Sequence, residues 1–396
     1  MFFWCGLILT VEINMNSRER LLTSLSHHEP DHVPLDIGGS DVTGIHRDAY
    51  KRLARYFGFT EDAPICELIQ QVALPEEALL QKLEVDTRPV FPNGPDNWEL
   101  VINQSDRYKT FVDEWGIEWA MPKDNGLYFD MISHPMAKFS QASDISGYKV
   151  PDPSNPGRFT GLRESVEKII ADTQAAIVMM PPYGGMFESG FWLRGYKQFL
   201  IDLGSNPKMA EAILEMTLQF RLTYWEKALE ELGDLVDVVV EYDDLGSNTS
   251  LLISPQMYRK YLKPRHKELF DFIKSHTHAS LFLHSCGAIY PLIPDFIDAG
   301  VDILNPIQVS ATNMGDGKRL KQEFGKDITF WGGGVNTQSI LPRGSTQEIK
   351  EEVRRRIGDF APGGGYVFAA VHNIQPDVPP ESIVAMLEAW KEYGKY

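Results

Sequence analysis

The stretch that decides the fold runs from Leu235 to Glu241 and reads Leu-Val-Asp-Val-Val-Val-Glu. Its β-branched, apolar character is typical of a strand that is covered on both faces, as strands in a parallel sheet are. Apolar residues at helical spacing precede it at Pro207–Leu232 and follow it at Pro255–Ser275. Strand and helix therefore alternate along the chain, which predicts β/α units with parallel strands.

The same alternation extends outward in both directions from this strand. The predicted strands are Val33–Ile37, Val85–Val90, Ala176–Met180, Leu235–Glu241, Ser280–His284, Val301–Asn305, Ile328–Trp331 and Tyr366–Ala370. Residues 91–160 are less regular, with a hairpin predicted around Thr110–Met121, and we interpret them as an insertion. We predict an α/β fold, a single (β/α)8 TIM barrel over residues 15–396, with this irregular insertion in its N-terminal half.

Composition and charge exclude several classes of protein that this chain could otherwise belong to. The 396 residues are 43% hydrophobic and 23% charged, which is ordinary for a globular protein. A net charge of −17 repels phosphate backbones and argues against nucleic-acid binding. No apolar stretch approaches the roughly 20 residues of a membrane span. The few cysteines suit a reducing compartment, so we expect a cytoplasmic protein.

The amino terminus calls for a separate interpretation. Residues 1–14 are apolar but lack a basic n-region and a small-residue cleavage site. We interpret them as a doubtful leader, with the natural start at Met15, and a signal segment is the alternative. A capped helix is predicted directly afterwards, because Glu19 follows Asn16 by three residues.

The sharpest chemical signal is His284-Ser-Cys286-Gly287, at the end of a predicted strand. Functional residues of a β/α barrel lie at the carboxyl ends of its strands. Residues i and i+2 of an extended chain share a face, so the imidazole and the thiol should point together. Imidazole with thiolate suits zinc. The alternative is a small buried cysteine beside a hydrogen-bonded core histidine.

A zinc ion would need further ligands. Glu241 ends the preceding strand, and we expect its carboxylate to face His284. The acidic cluster that also contains Asp244 could instead cap a helix or bind loop amides. Other residues at strand ends are candidates for substrate binding, although Tyr183 fits core packing equally well. These candidates are Asp36, Tyr183, Asn305, Gln308, Asn336 and His372.

Several motifs occur together, and in combination they resemble the uroporphyrinogen decarboxylase superfamily from about Asn16 to Trp390. They are Asn16-Ser-Arg-Glu-Arg20, Pro30-Asp-His-Val-Pro34, Ile253-Ser-Pro-Gln-Met-Tyr258, Leu283-His-Ser-Cys-Gly287, Ala299-Gly-Val-Asp-Ile-Leu-Asn-Pro306, Trp331-Gly-Gly-Gly334 and His372-Asn-Ile-Gln-Pro376. The resemblance implies a (β/α)8 barrel. The superfamily also includes corrinoid- and cobalamin-linked methyltransferases of anaerobic microbes.

Two departures from the superfamily's patterns indicate whether the chain resembles its decarboxylases or its methyltransferases. Uroporphyrinogen decarboxylases have an arginine-rich loop near the first strand that binds substrate carboxylates, whereas this chain reads Asp36-Ile-Gly-Gly-Ser-Asp-Val-Thr43. This departure favours the methyltransferase branch, in which zinc activates a thiol. His284 and Cys286 match that branch, but its second cysteine would fall near Gly363-Gly364-Gly365.

The resemblance therefore leaves three alternatives for the metal. Zinc is held by Glu241, His284 and Cys286 with water, or His372 substitutes as a ligand, or no metal binds, as in relatives that methylate tetrahydrofolate. In the last case polar groups such as Asn305 would hold the pterin.

The function that the resemblance implies is methyl transfer between a corrinoid and a small acceptor such as a thiol or tetrahydrofolate. His284 and Asp244 are the expected catalytic residues, with zinc or Asp244 deprotonating the acceptor. No cobalamin-binding DxHxxG motif is present, so we expect the corrinoid on a partner protein. These barrels often form homodimers. A decarboxylase acting on a less carboxylated substrate and a non-catalytic binding barrel stay open.

Overall fold

The computed structural model describes residues 14–396, and a parallel sheet forms the centre of the molecule. Over this range the strands are β1 (Ile45–His46), β2 (Ile65–Glu67), β3 (Val72–Ala73), β4 (Thr87–Val90), β5 (Asn103–Gln104), β6 (Tyr108–Val112), β7 (Glu118–Pro122), β8 (Asp130–Met131), β9 (Ala176–Met179), β10 (Val238–Tyr242), β11 (Ser280–His284), β12 (Ile303–Asn305), β13 (Thr329–Trp331) and β14 (Tyr366–Val367). The central sheet has the order β14-β13-β12-β11-β10-β9-β4. Its strands follow one another in chain order and are parallel, which confirms the predicted barrel class.

Helices connect these strands and cover the outside of the sheet. They are α1 (Ser17–Leu25), α2 (Arg47–Phe57), α3 (Glu77–Lys82), α4 (Leu162–Thr173), α5 (Met186–Arg194), α6 (Tyr196–Ser205), α7 (Pro207–Leu232), α8 (Pro255–Met257), α9 (Lys263–His276), α10 (Ile293–Ala299), α11 (Gly317–Phe324), α12 (Ile340–Arg343), α13 (Thr346–Phe360) and α14 (Pro380–Tyr393). The predicted helix Pro207–Leu232 coincides with α7. The predicted helix Pro255–Ser275 is divided into α8, a π-helical turn and α9.

The segment predicted as the first strand, residues 33–37, closes the barrel without forming a full ladder. On one side Phe368 N–H donates to the Pro34 carbonyl at 2.8 Å, and Asp36 N–H donates to the Phe368 carbonyl at 2.9 Å. On the other side Asp86 N–H donates to the Leu35 carbonyl at 2.9 Å. Pro34 has no N–H to donate, which limits the ladder here.

Alternate residues of each strand face the barrel interior and the helical layer. The interior side chains form a small apolar cluster that includes Val178, Val240, Phe282 and Trp331. Their neighbours along the strands, such as Leu283, join the larger core between sheet and helices. Because the interior is packed, we expect ligands at the carboxyl ends of the strands.

Between β4 and β9 the chain forms a second, antiparallel sheet in the order β5-β6-β7-β8. β6 pairs with β7 from Tyr108 opposite Pro122 to Val112 opposite Glu118, at the position of the predicted hairpin. Trp119 of this hairpin is buried and belongs to the main core. The insertion is therefore packed firmly against the barrel.

Residues 1–13 lie outside the described part of the chain, and with them all but the last residue of the predicted leader. Among residues 14–396 we find no helix with both the length and the apolar character that crossing a bilayer requires.

Candidate active site at the carboxyl end of the barrel

Three neighbouring strands build the centre of the site. His284 is the last residue of β11, and its partners in register are Tyr242 on β10 and Asn305 on β12. His284 follows Phe282 by two residues, so its imidazole lies on the same, inward face of the strand. All three polar side chains are buried, with His284 4% exposed and Asn305 fully covered.

Asn305 sets the tautomer of His284. The Asn305 amide nitrogen donates to the Trp331 carbonyl at 2.9 Å, and this bond orients the amide. The Asn305 Oδ1 therefore faces His284 Nδ1, at 2.6 Å, and can only accept from it. The proton of the neutral imidazole must lie on Nδ1, and Nε2 presents a lone pair. This is the arrangement by which a second residue prepares a histidine for a metal or for proton transfer.

The lone pair of His284 points at a thiol and a carboxylate. Its Nε2 lies 3.3 Å from Cys286 Sγ and 3.6 Å from Asp244 Oδ1. Asp244 Oδ1 also accepts from the backbone N–H of Cys286 at 2.7 Å. Burial raises the pKa of the Cys286 thiol well above its ordinary value, and the nearby Asp244 raises it further. The thiol is therefore protonated at neutral pH unless a cation binds beside it.

The loop that carries Cys286 depends on a close approach of two glycines. Gly287 has a φ of +92°, and a Cβ on it would lie 2.4 Å from the backbone of Gly246. The loops that follow β10 and β11 thus pack backbone against backbone. This contact places Asp244 and Cys286 side by side.

His372 completes a cluster of three candidate ligands. Its ring centroid lies 5.3 Å from that of His284, and the ligand atoms of His284, Cys286 and His372 all lie within 4.8 Å of one another. Burial, with the nearby His284, lowers the pKa of His372 to about 4, so its ring is neutral at pH 7. Its Nδ1 accepts from the Asn373 N–H at 2.8 Å, a bond that coordination through Nε2 would sacrifice.

The donors of this cluster, two imidazoles and a thiol, are those that zinc prefers. Asn305 supplies the outer hydrogen bond that ligating histidines commonly make. The glycine run 363–365 lies at the opposite, amino-terminal end of β14, where Gly365 N–H donates to the Ser24 carbonyl. At the carboxyl end of this last strand, the residue that joins the cluster is His372.

Glu241 does not face His284, and the predicted ligand set is corrected accordingly. The carboxylate of Glu241 accepts from Arg221 and from Trp225 Nε1, on the side of the helical layer. The physical reason is the alternation of the strand: Tyr242 faces the interior, so Glu241 faces outward opposite Leu283. Glu241 therefore ties β10 to α7.

The carboxylate of Asp36 lies inside the barrel, within hydrogen-bond distance of interior donors. Its carboxylate accepts from Trp331 Nε1 at 2.8 Å, from the Thr87 hydroxyl at 2.7 Å and from Gly39 N–H at 2.7 Å. Burial raises its pKa. With its oxygens occupied by interior donors, Asp36 holds the segment that closes the barrel and offers little to a substrate.

Asn336 and Gln308 organise loops. The Asn336 side chain accepts from the backbone N–H groups two and three residues further on, so it shapes its own turn. Gln308 accepts from Gly287 N–H at 2.7 Å and donates to Asn248 Oδ1 at 2.6 Å. Of these two residues, Gln308 lines a cavity of the site.

Two cavities meet at the His284 cluster and share Gln70 and His372. The outer cavity, about 860 Å³, is lined by Gln70, Leu127, Tyr128, Gly246, Ser247, Asn248, Cys286, Gln308, Thr337, Gln338, Val371, His372, Gln375, Pro376 and Asp377. The inner cavity, about 350 Å³, is lined by Asp41, Val42, Cys66, Glu67, Leu68, Ile69, Gln70, Phe91, Pro92, Pro181, Pro182, Tyr183, Gly184, Glu188, Trp192, Tyr242, Asp244, His284 and His372. Cys286 thus faces the outer cavity, and His284 and Asp244 face the inner one.

Tyr183 forms part of the inner cavity's aromatic wall. Its ring stacks on Trp115 with centroids 5.1 Å apart and meets Trp192 edge-on at 4.7 Å. Trp119 in turn packs against Trp192 at 6.0 Å. The insertion hairpin therefore supports the cavity wall.

Several lining residues escaped the sequence analysis. Asp41 lies in a loop, Glu67 ends the short strand β2 and Trp192 lies in α5, so none of them is at the end of a predicted barrel strand. Glu188 offered a local signal, because its carboxylate accepts from Gly185 N–H at 3.0 Å at the start of α5. Such a contact is typical of a helix start and does not indicate that the residue lines a cavity.

The family model for uroporphyrinogen decarboxylase (URO-D) matches residues 112–393. The chain therefore belongs to the uroporphyrinogen decarboxylase family. The uroporphyrinogen decarboxylase of Alkalilimnicola ehrlichii is 33% identical over 288 residues, 71% of this chain and 73% of that protein. The enzyme of the same name from Pseudomonas fluorescens is 22% identical over 311 residues, 74% of this chain and 82% of that protein.

Among solved structures, a methyltransferase from Methanosarcina mazei superposes with a TM-score of 0.66. The two chains are 21% identical, and the match covers 96% of this chain and 99% of that one. At this level of identity the likeness establishes a shared fold.

Proposed function

We propose that this protein is a methyltransferase that moves a methyl group between a corrinoid on a partner protein and a small substrate in the inner cavity. The observation that carries the proposal is the pair of cavities that meet at His284 and Cys286. Two reactants can approach one reacting centre, each from its own cavity. The fold shared with a Methanosarcina methyltransferase supports this class of reaction.

The outer cavity is the side on which the corrinoid would arrive. At about 860 Å³ it is the larger of the two, and carboxamides and hydroxyls dominate its polar lining. These groups donate and accept hydrogen bonds without adding charge. A partner's corrinoid would supply the cobalt that gives or receives the methyl group, and the residues of this chain would position it over Cys286 and His372.

Zinc is the metal that the donor set supports, with His284, Cys286 and His372 as ligands. When bound, zinc lowers the pKa of a coordinated thiol and holds the thiolate. Asn305 keeps the His284 lone pair directed at the centre. Asp244 lies beside both Cys286 and His284 and would accept a proton from the acceptor. A thiol is the acceptor that this chemistry favours, and tetrahydrofolate is the alternative if no metal binds.

Decarboxylation is the second candidate, because the curated relatives carry that name. Porphyrinogen substrates bear many carboxylates and require cationic partners. Among the described residues that line the two cavities there is no lysine or arginine. The inner cavity carries carboxyl groups instead, and these offer no cationic partner to such a substrate.

The rate of methyl transfer from methylcobalamin to a thiol tests the proposal. His284→Ala removes the lone pair at the centre, and we expect the rate to fall by a factor of about 100 or more. His278→Ala changes an exposed histidine and should leave the rate unchanged. Equal rates in both variants would contradict the role of His284.

A further inference from the structure

The inner cavity combines aromatic walls with acidic groups. Phe91, Tyr183, Trp192 and Tyr242 contribute rings, and four carboxyl residues line the same space of about 350 Å³. These carboxyl residues are Asp41, Glu67, Glu188 and Asp244. Within the described lining there is no lysine or arginine to balance them. A ring face and a carboxylate both attract a cation.

Elsewhere in the protein, several buried carboxylates are paired with arginine, although Asp36 inside the barrel has neutral donors only. Glu241 pairs with Arg221 at 2.8 Å, and Asp202 pairs with Arg194 at 2.7 Å. Asp86, which is fully buried, pairs with Arg20 at 2.6 Å. This is the usual solution, because an unpaired buried charge is costly.

The carboxyls of the inner cavity use neutral donors instead. Asp41 accepts from the Tyr242 hydroxyl at 2.6 Å. Glu67 accepts from the backbone N–H groups of the turn that follows it, at 2.8 and 2.6 Å. Glu188 accepts from Gly185 N–H through one carboxylate oxygen. These contacts fix the carboxyls in place and supply no positive charge.

Burial weakens the acidity of these groups, and the Arg221 guanidinium lowers the pKa of Glu188 only in part. Burial raises the pKa of Glu67 to about 7. Burial, together with Asp244 and Asp243, raises the pKa of Glu188 well above its ordinary value. A ligand that brings a positive charge would allow these groups to ionise against it.

We propose that the inner cavity binds a small alkylammonium compound, with its cationic group between the aromatic wall and the carboxyls. This inference rests on the proposed function, because it names the class of the small substrate. The volume suits a ligand of few heavy atoms, at the lower end of the range for binding pockets. Within the described lining, an anionic substrate would meet several carboxyls and no lysine or arginine.

The insertion holds the wall against which the cation lies. Trp115 stacks on Tyr183, and Trp119 packs against Trp192. Asp113 Oδ2 accepts from Trp119 Nε1 at 2.9 Å and lies 3.5 Å from the Tyr183 hydroxyl. The rings are thus fixed before a ligand arrives, which reduces the entropy lost on binding.

Calorimetric titration with choline and with 3,3-dimethyl-1-butanol tests the inference on the full chain. The two probes have nearly the same shape and differ in charge. We expect choline to bind at least tenfold more tightly than the alcohol. Equal affinities, or no binding of either probe, would overturn the inference.

Glu188→Gln is the matched variant, because glutamine can still accept from Gly185 N–H. It should weaken choline binding at least fivefold and leave binding of the alcohol unchanged. Glu226→Gln, at an exposed position of α7, is the control for a lost negative charge and should have no effect. Equal weakening of both probes by Glu188→Gln would show a packing role and refute the charge role.

A parallel measurement separates this inference from the proposed function. Methyl transfer from methylcobalamin to a neutral thiol, without selective choline binding, would refute the inference and leave the function standing. Selective choline binding by a protein that transfers no methyl group would uphold the cation site and refute the function.

Discussion

Replacing Asn305 with leucine is the perturbation that the geometry of the site makes most informative. The side chain is fully buried and makes two hydrogen bonds, accepting from His284 Nδ1 at 2.6 Å and donating to the Trp331 carbonyl at 2.9 Å. Leucine has a similar volume and can make neither. The variant therefore removes the group that sets the His284 tautomer without opening a large cavity.

The cost follows from the two groups left without a partner. An orphaned buried donor or acceptor costs about 1–3 kcal/mol, so Asn305→Leu should lower the free energy of unfolding by about 2–6 kcal/mol. The free energy of unfolding of a native domain is about 5–15 kcal/mol, so the variant should stay folded at low temperature. Loss of an outer hydrogen bond to a ligating histidine reduces metal affinity about 10–100-fold, and we expect the same for zinc here.

Urea unfolding and zinc competition against a chelator measure the two effects. Nitrogen-15 NMR of the His284 imidazole reports the tautomer directly, and we expect the proton on Nδ1 in the wild type. Asn93→Leu, at an exposed position, serves as control. A folded Asn305→Leu protein with unchanged zinc affinity and an unchanged His284 tautomer would refute the reasoning.

Three further predictions follow from the packing and charge of the site. Burial raises the Glu67 pKa to about 7, so the folded state holds its proton more tightly than the unfolded chain. Stability that is present at pH 4 is therefore lost as the pH rises through 7. In urea unfolding, the free energy of unfolding of Glu67→Gln relative to that of the wild type should rise by up to about 3 kcal/mol between pH 4 and pH 8. A pH-independent difference would contradict this. Gly287→Ala would place a Cβ 2.4 Å from Gly246, so it should destabilise the protein more than Gly58→Ala, where φ is +77° and the space is open. Equal melting temperatures of the two alanine variants would argue against a tight loop contact. Trp119→Ala should lower the free energy of unfolding by about 3–5 kcal/mol and weaken the binding of ligands in the inner cavity. Unchanged ligand affinity would show that the insertion does not support the site.

The sequence predicted the barrel well because long runs of buried β-branched residues alternate with helical patterns. The strands β9 to β14 lie where apolar runs were found, and α7 has the predicted bounds. The first strand was harder, since residues 33–37 close the barrel through a few hydrogen bonds beside Pro34. Local pattern cannot show how two ends of a sheet meet.

The site was predictable only where neighbouring residues carry the signal. His284 and Cys286 lie two apart at a strand end, so the spacing alone indicated a shared face. Glu241 was misplaced because the register between β10 and β11 decides which residues face inward, and one sequence does not contain that register. Asp41 and Glu188 reach the cavity from distant segments, and only the folded chain brings them together.

Product analysis of a single reaction mixture tests the central claim most directly. The mixture contains the protein, methylcobalamin with an isotopically labelled methyl group, three thiols (cysteamine, 2-mercaptoethanol and 2-mercaptoethanesulfonate) and uroporphyrinogen. We predict labelled methyl thioether, formed fastest from the cationic cysteamine, with formation lost in His284→Ala and uroporphyrinogen left intact. Loss of carbon dioxide from uroporphyrinogen, with no label transferred to any thiol, would contradict the account and establish a decarboxylase.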